Sequence, residues 1–290
     1  MPIIYALANQ KGGVGKTTTA VNVGACLAQW GQRVLVVDVD PQANATSSLG
    51  IDKRAVRLST YDLLVGDVPL PRIVQATGRE RLSLVPASPS LAGATVELVN
   101  MPQREYRLRR ALAVLRPNEL RLGKHEESVP GDIQGSEGVG GGADEQYDYV
   151  LIDCPPSLGL LTVNALTATD GVVIPVQCEY LALEGLSQLS RAIDLVRRAL
   201  NPTLQLRGLV MTMFDTRTTL SRQVVEEVQR HFPGRVFRAI IPRSVRLSEA
   251  PSYGEPIITY APRSAGALAY AALARELLVG DGRLELVDVD

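Results

Sequence analysis

Short apolar runs alternate with amphipathic stretches along most of this chain. Ile3 to Ala8 is apolar throughout and ends at Asn9-Gln10 before a cluster of glycines, the pattern of a strand buried on both faces of a parallel sheet. From Thr18 to Trp30, Val21 and Leu27 recur at helical spacing with the small residues Ala20, Gly24 and Ala28, and Gly31 follows as a stop, which predicts a helix laid on a sheet. The β-branched run Val34 to Val39 supplies a second strand. Strand, glycine loop, helix and strand in that order predict a right-handed parallel βαβ unit. Further strands are predicted at Leu82 to Pro86, Tyr149 to Asp153, Gly171 to Pro175, Gly208 to Met213 and Val236 to Ile241, most of them separated by helical patterns. The alternation predicts an α/β fold with an open, doubly wound, mostly parallel sheet flanked by helices, whose ligands sit at the carboxyl ends of the strands.

One stretch breaks the pattern. Pro117 to Tyr147 contains the run Gly138 to Gly142 and seven acidic residues against Arg121 and Lys124, and it reads as a disordered, acidic, glycine-rich insertion, with a partner-docking segment as the functional alternative. The organisation expected is one domain over 1–280 with 117–147 as the insertion, followed by an acidic tail over 281–290. The 290 residues are 46% apolar and 21% charged, ordinary for a globular chain, and the formal net charge of -1 offers no global attraction to nucleic acid. Cys26, Cys154 and Cys178 are too widely spaced for a paired metal motif and odd in number, and read as reduced, mostly buried thiols. The amino terminus lacks a basic leader and cleavage site, and no run of about 18 apolar residues occurs, so a cytoplasmic location is expected.

The chemistry concentrates after the first strand. Backbone N–H groups freed by Gly12, Gly13 and Gly15, with Val14 between them, can wrap a polyphosphate at the positive N-terminus of the following helix. Lys16 is expected on the β- and γ-phosphates and Thr17 on Mg²⁺, as at the end of a Walker A loop, although Gln10 stands where the strict motif has glycine. Of only four lysines in the chain, Lys11 and Lys16 flank these glycines. Asp38 and Asp40 close the second strand two residues apart, with Asp40 the candidate for holding the attacking water near the metal. Asp153 ends the run Val150-Leu151-Ile152 as a Walker B carboxylate acting on Mg²⁺. Turn or helix-capping duty is the plain alternative for both. The reading is a magnesium-dependent P-loop nucleotide hydrolase, most simply an ATPase.

Asn9-Gln10-Lys11-Gly12-Gly13-Val14-Gly15-Lys16-Thr17-Thr18 resembles the deviant Walker A box of the ParA/Soj chromosome- and plasmid-partitioning ATPases, P-loop NTPases of the SIMIBI type. Val37 to Gln42, Asp153 to Ser157, Pro175 to Tyr180 and Ile241 to Pro251 resemble further segments of that family, so the likeness spans nearly the whole chain outside the insertion. The resemblance implies that Lys11 is the signature lysine, contacting phosphate of the nucleotide held by the other subunit of an ATP-bound homodimer. It also places Thr18 with the nucleotide and Pro242 and Ser244 at the adenine, although the family commonly has asparagine where Ser244 stands. It implies ATP-dependent binding of nucleoid DNA without sequence preference, and hydrolysis stimulated by a ParB-type centromere-binding partner.

The charge distribution bears on that DNA role. From Leu186 to Arg263 there are twelve arginines and six acidic residues, and Arg191, Arg197, Arg198, Arg217, Arg222, Arg243 and Arg246 are the candidate phosphate contacts. Arg197 and Arg198 also fall in a last helical turn, where cations suit the dipole with no ligand at all. Three other readings share the loop. A MinD-type division-site ATPase grips membrane with a basic amphipathic tail, but this chain ends in Leu-Glu-Leu-Val-Asp-Val-Asp, so no membrane partner is expected. An iron-sulfur reductase needs a second suitably placed cysteine besides Cys154. A metabolic ATP-dependent ligase or kinase needs a dedicated small-molecule pocket.

Overall fold

The computed structural model describes residues 1–116, 146–180 and 182–285. Most of the insertion expected at 117–147 and the end of the acidic tail, 286–290, lie outside the described residues. Strand β1 is Ile3–Leu7, followed by α1 (Lys16–Gln29), β2 (Val34–Asp38), α2 (Asn44–Ser48), α3 (Thr60–Leu64), β3 (Gln75–Arg79) and β4 (Leu82–Val85). Then come α4 (Leu91–Glu97), α5 (Arg107–Leu112), β5 (Tyr149–Asp153), α6 (Leu160–Thr167), β6 (Gly171–Gln177), α7 (Ala182–Ala199) and β7 (Gln205–Thr212). The chain closes with α8 (Thr219–His231), α9 (Val245–Glu249), α10 (Ile257–Tyr260) and α11 (Ala265–Gly280).

The strands form one seven-stranded sheet in the order β3-β4-β2-β5-β1-β6-β7. Every pairing is parallel except β3 with β4. Because successive strand residues face opposite sides, each apolar run feeds two cores. Ile4, Ala6, Leu35, Val37, Val150, Ile152, Val172 and Ile174 pack against α3 to α8. Tyr5, Leu7, Val34, Val36, Tyr149, Leu151, Val173 and Val210 pack against α1 and α11. Helix α1 lies close on the sheet because Gly24 has no side chain there; a Cβ at that position would meet Val36 Cγ2 at 3.3 Å. At the amino ends of the strands Asp281, only 4% exposed, accepts from Tyr5 Oη at 2.6 Å and Arg207 Nε at 3.0 Å, tying the end of α11 to β1 and β7.

Two elements differ from the sequence reading. Val236 to Ile241 runs beside β7 but forms only the isolated bridges Leu209 to Val236 and Phe214 to Pro242. The N–H groups of Phe237 and Ile241 still donate to the Leu209 and Met211 carbonyls at 2.9 and 2.8 Å, but between them the ladder is interrupted at Ala239, whose N–H donates to the Glu276 carboxylate at 2.6 Å. Conversely β3, Gln-Ala-Thr-Gly-Arg, is an antiparallel edge strand with a register shift and no apolar alternation to announce it.

Candidate active site

The parallel register fixes the site. Asp153 pairs with Leu7 on one side and with Asp38 on the other, so two carboxylates sit at neighbouring strand ends just where β1 gives way to the glycine loop. The loop is clamped by β6 and β7, the two strands on one side of β1. Asn9 Nδ2 donates to the Pro175 carbonyl at 2.7 Å while Asn9 Oδ1 accepts the Lys11 N–H at 3.1 Å. Thr212, at the end of β7, donates its hydroxyl to the Val14 carbonyl at 2.9 Å. Gly13 and Gly15 have φ of 74° and 91°, left-handed values that favour glycine, and Gly15 turns the chain directly into α1. Sequence reasoning had passed over Thr212, a polar residue ending an apolar strand.

Lys16, 6% exposed, donates from Nζ to the Lys11 carbonyl at 3.1 Å. Burial lowers the pKa of its ammonium, and the attraction of Asp153, Cys154 and Asp40 opposes that shift, so these groups lie within electrostatic reach of one another. Thr17 Oγ1 donates to Asp153 Oδ2 at 2.7 Å. Asp153 Oδ1 is buried and has no hydrogen-bond partner among the described residues. Burial, reinforced by Asp38, holds the Asp153 carboxyl well above its ordinary pKa.

Asp38 and Asp40 divide along different lines than their spacing suggested. Asp38, wholly buried, accepts the Asp40 N–H at 3.1 Å on one oxygen and the Thr46 N–H and hydroxyl at 2.9 and 2.7 Å on the other. Desolvation pushes its pKa up to about 6 against those three bonds. Its oxygens are spent on holding the turn after β2. Asp40 lies beyond the strand, and among the described residues only its Oδ1 is engaged, accepting the Gln42 N–H at 2.9 Å. The turn it heads closes through Ala43, whose φ of 53° is unusual for a residue with a side chain.

The donor set fits Mg²⁺. A hard cation that keeps most of its water needs only one or two protein oxygens, and an unpartnered buried carboxylate oxygen beside a threonine hydroxyl supplies them. Cys26, Cys154 and Cys178 are buried free thiols, and burial raises the pKa of each, Cys26 and Cys178 up to about 12.

Lys11 stands at the rim, 46% exposed, with Nζ 3.2 Å from Glu179 Oε2. Arg243 lies 3.5 Å from the other oxygen of the same carboxylate, which brings the Pro242 to Ser244 segment beside the loop. Phe214 anchors that segment by donating its N–H to Ile241 and accepting from Arg243 at 2.9 Å. Ser244 precedes α9 in an extended conformation without capping it through its side chain.

The candidate DNA arginines do not share one face. Arg191, Arg197 and Arg198 are on α7 and Arg222 on α8, whereas Arg217, Arg243 and Arg246 lie nearer the carboxyl edge. Carboxylates already engage four of them: Arg197 with Asp194, Arg217 with Asp215, Arg243 with Glu179 and Arg246 with Glu249. Arg191, Arg198 and Arg222 are exposed and make no ion pair among the described residues. A cavity of about 560 Å³ lined by Tyr106, Arg109, Asp170 and Asn201 opens at the other end of the sheet from the loop. No described helix is long and apolar enough to cross a membrane.

Comparison with known proteins agrees with this geometry. A family model described as an AAA domain matches residues 2–118 and 142–206. The sporulation initiation inhibitor protein Soj of Bacillus subtilis is 53% identical over 94% of this chain and 97% of its own length. The chromosome partitioning protein ParA of Myxococcus xanthus is 49% identical, covering 96% of this chain and 88% of its own. Among solved structures, cobyrinic acid a,c-diamide synthase from Mycobacterium smegmatis with bound ADP and magnesium superimposes with a TM-score of 0.77 at 38% identity, over 97% of this chain and 96% of that one.

Proposed function

Since the chain belongs to the Soj/ParA family of chromosome-partitioning ATPases, we propose that it is an Mg²⁺-dependent ATPase that dimerises around ATP, rests on DNA in that form, and is released when a ParB-type partner stimulates hydrolysis. The observation that supports this best is the convergence of Lys16, Thr17 and Asp153 at the loop while Lys11 stays at the solvent-facing rim. In this reading the glycine-loop amides and Lys16 bind the phosphates, and Thr17 and Asp153 hold Mg²⁺. The metal, when bound, neutralises charge developing on the transferred phosphoryl group. Asp40, with one carboxylate oxygen uncommitted, orients the attacking water, while Asp38 keeps the Asp40 turn in place. Lys11 completes the site of the neighbouring protomer, so full transition-state stabilisation exists only in the dimer. The adenine lies against Pro242 and Ser244.

Dimerisation doubles every positive group, and of the seven candidate arginines Arg191, Arg198 and Arg222 are the ones not already answered by a carboxylate among the described residues. DNA binding measured with ATP, ADP and no nucleotide over a salt series tests the proposal. Binding is expected with ATP alone and should fall about tenfold or more between 50 and 200 mM salt, as a few released counterions require. Equal, salt-insensitive binding in all three states would overturn the DNA role.

A second reading, an ATP-dependent amide synthase, has behind it the likeness to the Mycobacterium smegmatis enzyme. It is favoured if cobyrinic acid accelerates ATP turnover in the absence of DNA and protein partner.

A further inference from the structure

We propose that Glu179 is a counter-ion latch that keeps Lys11 on its own subunit, so that the triphosphate of a neighbouring protomer must win this lysine from an internal competitor. The proposal deepens the reading above and rests on Lys11 acting across the dimer. Three groups from two loops and a strand end meet at this carboxylate. Lys11 comes from the phosphate loop at 3.2 Å, Arg243 from the segment after Ile241 at 3.5 Å, and Gln177 from the end of β6, donating Nε2 to Oε1 at 2.6 Å. Gln177 and Arg243 hold one oxygen of Glu179 and leave the other for Lys11.

The lysine itself is built to swing. Its amide is fixed to Asn9 and its carbonyl accepts from Lys16, so the backbone is anchored while the side chain alone is free to change partner. Both members of the pair are about half exposed, at 46% and 44%. Solvent screens such a pair, which therefore biases an equilibrium by about threefold and does not block it. A triphosphate carries several negative charges against one on Glu179, so it takes the lysine when two protomers meet face to face. Loss of the γ-phosphate after hydrolysis weakens that claim and returns Lys11 to Glu179. The latch thereby favours separation of the spent dimer and discourages association before both sites are charged.

Sedimentation velocity over a protein-concentration series, with Mg²⁺ and a non-hydrolysable ATP analogue, tests the latch. With two latches removed per dimer, Glu179→Gln should dimerise at about tenfold lower protein concentration than wild type. High salt, which screens the pair, should narrow that gap. ADP affinity measured below the dimerisation range should not change, which reports that the loop is intact. In a Lys11→Ala background Glu179→Gln should have no effect on dimerisation, as a direct pair requires. Unchanged or weaker dimerisation by Glu179→Gln, or an equal gain without Lys11, would overturn the latch alone. Failure of the wild type to dimerise with the analogue would overturn both the latch and the trans-lysine reading beneath it.

Discussion

Lys16→Ala is expected to weaken ATP binding by about two to four orders of magnitude, the equivalent of removing one partner from a buried, hydrogen-bonded charge pair worth about 3–5 kcal/mol. The ammonium is 6% exposed and lies within the attraction of three groups at the strand ends, so its desolvation has already been met in folding and it meets phosphate with little further rearrangement. Thr212 and Asn9 clamp the loop independently of this side chain, and Gly13 and Gly15 set its curvature. The loop should therefore keep its shape in the variant, and the loss should appear in affinity with little change in fold. Titration with a fluorescent ATP analogue, alongside a thermal melt, measures it. Wild-type affinity in a folded variant would remove Lys16 from its assigned role.

Asp40→Ala should behave in the opposite way, binding ATP normally and lowering kcat by about 10² to 10⁴, the range lost with a general base or water-orienting group. The reason lies in what each aspartate touches. Asp38 accepts three hydrogen bonds and anchors the turn, whereas Asp40 spends one oxygen on the Gln42 amide and has the other available. Removing Asp40 costs the fold one local turn contact, about 1 kcal/mol. Single-turnover hydrolysis with saturating ATP, together with the oligomeric state under the same conditions, separates chemistry from binding. Persistent ATP-bound dimers with slow turnover are the expected result, and wild-type turnover would exclude Asp40 as the residue that orients water.

The first strand, loop and helix were legible because their apolar spacing and their glycines are local signals, and Tyr149–Asp153 lies where its unbroken apolar run placed it. Strand ends elsewhere shift by a few residues, as at β7, whose amino-terminal half is polar on its outer side. What could not be read depends on partners distant in sequence. Glu276 is 37 residues from the Ala239 amide it captures, and that contact interrupts the pairing of Val236 to Ile241 with β7. Edge strand β3 buries too little to leave a hydrophobic pattern. Lys16, Thr17 and Asp153 stood out as candidates because loop and strand end carry them, and the structure brings them together. Asp40 was singled out in the sequence, but the occupation of Asp38 by the turn was not legible, because its partner Thr46 lies eight residues further on. Thr212 and Glu179 were missed as site residues for a related reason: their meaning comes from the loop they touch across the sheet, 198 and 168 residues away in sequence.

The account turns on one cation acting across a subunit boundary, and mixing two inactive variants tests that most directly. In the proposed dimer Lys11→Ala lacks the lysine that acts on its neighbour, and Asp40→Ala lacks the carboxylate that acts at home. In a mixed dimer the Lys11→Ala subunit keeps its own Asp40 and receives Lys11 from its partner, so one site of the two is complete. An equimolar mixture should recover up to about a quarter of wild-type ATPase activity, the share of complete sites after random pairing. If the mixture stays as inactive as either variant alone, although mixed dimers are demonstrated by crosslinking, Lys11 serves its own nucleotide and the ATP-gated sandwich is wrong.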